Sequence, residues 1–87
     1  MTNIVTGYEL RTIDANGDST DCDFYRFREG AEHAVQGLTL PSPWGDVAWV
    51  IEQVIEKTYA NGRNKRTHKV VAFAGDPNAL KAGGWIK

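Results

Sequence analysis

Ser42-Pro43-Trp44-Gly45-Asp46-Val47-Ala48-Trp49-Val50-Ile51-Glu52-Gln53-Val54-Ile55-Glu56-Lys57-Thr58-Tyr59-Ala60 decides how the fold is read. Trp44, Val47, Ala48, Ile51, Val54, Ile55 and Thr58 follow three- and four-residue steps, and on an α-helix they fall within an arc of roughly 120°. Ser42 is a suitable N-cap and Pro43 a suitable first helical residue, because that position has no helical amide bond to lose. Asn61-Gly62 supplies the left-handed conformation that closes a helix. The pattern predicts one long amphipathic helix over residues 42–60.

Around it, Tyr8–Ile13 and Asp21–Phe27 read as the strands of a β-hairpin, with Asn16-Gly17 as a two-residue type I′ turn. That turn pairs Arg11 with Cys22, Tyr8 with Tyr25 and Ile13 with Thr20, and puts Tyr8, Leu10, Tyr25 and Phe27 on one face together with Asp23. Residues 29–38 read as a short helix with Ala31, Ala34, Val35 and Leu38 on its apolar stripe. His68–Ala74 is rich in β-branched and aromatic residues and reads as a strand. Asp76-Pro77 caps a short helix through Ala82, and Gly83-Gly84 lets Trp85 and Ile86 turn back onto the body. The expectation is a single α+β domain over residues 1–87: a small antiparallel sheet packed on one long amphipathic helix, with short accessory helices.

Size and composition fit that expectation. Eighty-seven residues suffice for one modest core, and 41% hydrophobic with 24% charged residues is a globular composition. Cys22 is the sole cysteine, which excludes an internal disulfide and a cysteine-stapled secreted scaffold. The start has no basic leader or apolar signal segment, and no apolar run approaches the roughly 18 residues of a membrane span. A cytoplasmic or otherwise intracellular, reducing setting is the simplest expectation, with no membrane partner. The net charge of −1 hides an asymmetry. Residues 1–35 hold seven acids and three bases, residues 36–56 three acids and no base, and residues 57–87 seven bases and one acid. Such a distribution can steer partners or cancel within the fold.

On the proposed helix, Trp49 lies opposite the apolar stripe, flanked by Glu52, Gln53 and Glu56. A solvent-facing tryptophan among acids suits a protein-interface anchor for a basic partner. The competing reading has the basic loop or the Trp85 segment covering it. Arg63, Lys65, Arg66 and Lys69, with Lys57 and His68, form a second candidate surface for nucleic acid or an acidic protein, or simply a solubilising loop. Asp14, Asn16, Asp18, Thr20, Asp21 and Asp23 contain oxygen ligands, but Ser19 and Tyr25 occupy positions where a calcium loop needs glycine and an acid. They read as a polar hairpin turn. Cys22, His33 and His68 have no zinc spacing and no motif for a nucleophile and base.

The sequence therefore points to no catalytic residues, no metal and no cofactor. It favours a small non-catalytic protein-binding adaptor or inhibitor that acts by steric occupation or assembly control. Nucleic-acid binding through residues 63–69 is the alternative, and a small enzyme or a structural component of an oligomer the more distant ones. The length and compactness also fit a host modulator carried by a phage or mobile element.

Overall fold

The computed structural model describes residues 3–87. Its elements run β1 (Asn3–Asp14), β2 (Ser19–Tyr25), α1 (Arg28–Val35), β3 (Asp46–Thr58), β4 (Asn64–Gly75) and α2 (Pro77–Ala82). The four strands form one antiparallel sheet in the order β2-β1-β3-β4. The expected long amphipathic helix is absent: Asp46–Thr58 is a strand of 13 residues, hydrogen-bonded to β1 on one side and β4 on the other. Both helices are short, so the protein is mostly sheet.

The reason lies in burial on both faces. Ala48, Val50, Glu52 and Val54 are all buried along one side of β3; Ile51 is buried on the other, with Trp49, Gln53 and Ile55 half-buried beside it. A strand covered on both faces loses the alternation that marks a half-exposed one, and its apolar residues match helical spacing by selection from two faces. Val47, Val50, Ile51, Val54 and Ile55 are β-branched, which favours the pleated backbone. At 13 residues the strand exceeds the usual ~3–10, a length that suits a helix equally well.

The two helices pack on opposite faces of the sheet, toward one end. On one side Ala31 of α1 joins Leu10 and Ile51, with Tyr8, Tyr25, Val35, Leu38 and Trp49 against them. On the other side Leu80 of α2 packs on Ile13, Ala48 and Val50, with Val70, Trp85 and Ile86. The C-terminal tail turns back as the glycines at 83 and 84 suggested, and Trp85 Nε1 donates to the Gly17 carbonyl at 2.8 Å. Asp76 caps α2 by accepting from the Asn78 amide. Among the described residues, no helix is long and apolar enough to cross a membrane.

Both hairpins turn on the same tripeptide. Ala15-Asn16-Gly17 and Ala60-Asn61-Gly62 each form a three-residue loop. Gly17 donates to the Asp14 carbonyl and Asp14 to the Asp18 carbonyl; Gly62 donates to Tyr59, and Tyr59 to Arg63, in the same way. Only the glycines have positive φ, +89° and +83°, the geometry of a type I turn followed by a left-handed bulge residue. The expected two-residue turn at 16–17 is thus replaced by a longer one. Ile13 consequently pairs with Ser19 rather than Thr20, while Arg11–Cys22 and Tyr8–Tyr25 are found as expected after an irregularity at Thr12/Ile13. The second tripeptide, read as a helix stop, is a hairpin tip.

Gly17 is doubly constrained: a Cβ there would also lie 2.3 Å from the Gly83 amide nitrogen. Replacing Gly17 with alanine combines a left-handed backbone penalty of about 1–2 kcal/mol with that collision. Denaturant titration of Gly17→Ala is expected to show a loss of at least ~2 kcal/mol, and a change within experimental error would contradict this packing of the hairpin on the tail.

Candidate functional site

In a strand, side chains alternate between faces, and this separates residues that a helix would group. Trp49 and Gln53 lie on the α1 side. Trp49 packs half-buried against the Leu10–Ala31–Ile51 cluster, and Gln53 Nε2 donates to Tyr8 Oη at 3.4 Å. Glu52 and Glu56 lie on the other side. Glu56 is directly opposite Arg66, and Glu52 is buried. Trp49, Glu52, Gln53 and Glu56 do not form one surface.

The basic segment is divided in the same way. Lys65 and Lys69 share the face of Lys57, with Lys57 directly opposite Lys65. Arg63 sits at the β3–β4 tip. Arg66 and His68 are on the other face, where Arg66 Nη2 donates to Glu9 Oε1 at 2.5 Å.

That second face holds a network invisible to local spacing. Glu9 and Glu52 are direct neighbours on β1 and β3, only 7% and 8% exposed. Arg11 bridges them, with 2.9 Å to each carboxylate. His68 Nδ1 lies 3.9 and 3.8 Å from their oxygens, and one donor atom from each of Glu9, Glu52 and His68 falls within 4.8 Å of the others. Two carboxylates and an imidazole resemble a metal donor set, but two guanidiniums already neutralise and hydrogen-bond the carboxylates. The arrangement is therefore an ion-pair network that ties β1, β3 and β4 together. Removing its central cation strands the buried Glu52 and leaves Glu9 to Arg66 alone.

Cys22 shares the face of its strand partner Arg11, whereas His33 rides on α1 across the sheet, so the two form no nucleophile–base pair. Burial pushes the Cys22 thiol up; Arg11 pulls it down, and Glu9, Asp23 and Glu52 add to the rise. The hairpin acids serve the turn: Asp14 accepts from the amides of Asn16 and Asp18 at 2.9 and 3.0 Å.

Among the described residues, the most exposed large apolar side chain is Trp44, at 87%. Once β3 begins at Asp46, Trp44 leaves the core and stands on the preceding turn. Ser42 pins that turn: its hydroxyl accepts from the amides of Trp44 and Asp46 at 3.2 and 3.1 Å. Its backbone pairs with Asp46 and Gly45. Beside Trp44 lies a cleft of about 340 Å³ lined by Thr12, Asp21, Leu38, Leu40, Asp46 and neighbouring loop residues. Asp46 is only 8% exposed, and Thr20 Oγ1 donates to its Oδ1. Trp44 and Asp46 escaped sequence reasoning, although Pro41, Pro43 and Gly45 within five residues are a turn composition.

Three outcomes follow from these placements. Trp49→Ala is expected to cost about 2–4 kcal/mol, and Trp44→Ala no more than about 0.5 kcal/mol, both by chemical denaturation; the opposite ranking would mean that the tryptophans are misassigned. Arg11→Ala is expected to cost about 2–4 kcal/mol by leaving the buried Glu52 without its arginine and Glu9 with Arg66 alone. Alkylation of Cys22 should be slow at neutral pH and accelerate only above the ordinary thiol range, because the thiolate is the nucleophile. Against known proteins, no family model matches the chain, and neither a curated protein nor a solved structure matches it.

Proposed function

We propose that the chain is a non-catalytic protein-binding module whose anchor is Trp44. The observation that carries this reading is an 87%-exposed tryptophan held on a turn by a serine hydroxyl and backbone bonds. An aromatic ring has few rotatable bonds and a large contact area, so a pinned one binds with little ordering cost. The acids Asp21 and Asp46 beside it give the surface a sign, which selects partners by charge. Interface logic first suggested by Trp49 thus applies to Trp44, and the reaction is occupation of a partner's surface, with no covalent step.

A second reading, nucleic-acid contact, is favoured by one observation. Lys57 and Lys65 stand directly opposite each other with Lys69 on the same face, and among the described residues no acid lies within salt-bridge distance of any of them. Like charges facing across strands are destabilising, and a phosphate backbone would relieve them. Arg66 contributes less to this surface than its position in the sequence implied, since it is engaged by Glu9.

Affinity capture with the intact chain, with and without nuclease, separates the readings. Retention of one specific protein that falls at least about tenfold with Trp44→Ala, while the melting temperature is unchanged, supports the module. Retention unaffected by that substitution rejects Trp44 as the anchor. Lys65→Glu is expected to stabilise the free chain by about 0.2–1 kcal/mol through pairing with Lys57; it would lower nucleic-acid retention only under the second reading.

A further inference from the structure

Resting on Trp44 as anchor, we infer that the cleft beside it receives a positively charged side chain, the guanidinium or ammonium group of an extended basic segment of the partner protein. The first observation is Asp46. Its carboxylate lies in the cleft lining at 8% exposure, and Thr20 provides a hydroxyl hydrogen bond, itself contacted by Thr12 Oγ1 at 2.8 Å. Among the described residues, no base comes within salt-bridge distance of Asp46 or Asp21. Buried carboxylates are ordinarily paired, as Glu9 and Glu52 are in this same sheet. Asp14 is the direct strand partner of Asp46 and Asp21 that of Thr12, so this end of the sheet gathers acids without a compensating base.

The second, independent observation is the exposed ring of Trp44 on the cleft wall. An indole face attracts a cation through its quadrupole, and the attraction grows as the site is desolvated. Leu38 and Leu40 on the same wall offer apolar contact to the methylene stem of lysine or arginine, whose charged head then reaches the carboxylates. A neutral or acidic side chain in the cleft would leave Asp46 without a counter-charge. The cleft volume of about 340 Å³ is at the lower end for small-ligand sites and suits one long side chain.

The test uses N-acetyl-argininamide and its uncharged citrulline counterpart, titrated into the intact protein while indole and amide resonances are followed by NMR. The arginine compound is expected to shift the Trp44 indole and the amides of Gly45 and Asp46, with the citrulline compound binding at least about tenfold more weakly. Asp46→Asn should weaken the arginine compound about five- to tenfold, and Asp21→Asn should weaken it less. Equal responses to the two compounds, or an unchanged response in a folded Asp46→Asn protein, overturn the inference. If Asp46→Asn does not fold, the comparison of the two compounds on the unaltered chain and on Asp21→Asn decides. A captured protein that depends on Trp44 but binds a folded Asp46→Asn variant unchanged overturns the cationic cleft and leaves the module standing. Charge-selective binding of the arginine compound without any Trp44-dependent protein partner does the reverse.

Discussion

Everything in this protein depends on β3 being hydrogen-bonded along both edges and covered on both faces. A central strand has no solvent side on which to place polar residues freely, so its sequence becomes nearly continuous in apolar types. Where charge does occur, as at Glu52, the neighbouring strands must neutralise it. Arg11 supplies that neutralisation from β1, bridging Glu52 to Glu9, and Arg66 on β4 supplies a second cation to Glu9. The network is thus a consequence of running a charged residue through the middle strand, and it binds β1 to β3 and β4, which follow it only after a long stretch of sequence.

The same strand determines which surfaces remain for other molecules. Alternation sends Trp49 toward α1 and splits the glutamates from it, and splits the lysines of β4 from Arg66. It also decides where the strand must begin. Because Asp46 is the first paired residue, the Ser42–Gly45 turn projects from the sheet, and Trp44 projects with it. An aromatic residue at that point has no core to enter. The cleft beside it is formed from the α1–β3 connection and the acidic end of β1 and β2, and its character comes from carboxylates that, among the described residues, no base approaches within salt-bridge distance.

Much of the periphery was legible in the chain. Asp76-Pro77, the Gly83-Gly84 stop, the return of Trp85, the α1 stripe through Ala31 and the Arg11–Cys22 and Tyr8–Tyr25 pairs are all local rules of capping, turn chemistry or register. The two Ala-Asn-Gly tips show where local rules stop. A left-handed glycine closes a helix and also forms the bulge of a three-residue hairpin loop; by local rules the first tripeptide reads as a two-residue turn and the second as a helix stop, yet both form three-residue loops. Neighbouring context, not the tripeptide, separates the two.

By itself the sequence determined the first hairpin, both short helices and much of the final strand, because each follows from local turn, capping and propensity rules. It also determined that residues 47–55 must be buried along an apolar surface. Only the tertiary structure decided whether that surface was one side of a helix or both sides of a strand. The bonds that decide it run from β3 to β1, some 40 residues earlier, and to β4, and no residue within the segment carries a record of them. With that choice came the exchange of Trp49 for Trp44 at the surface.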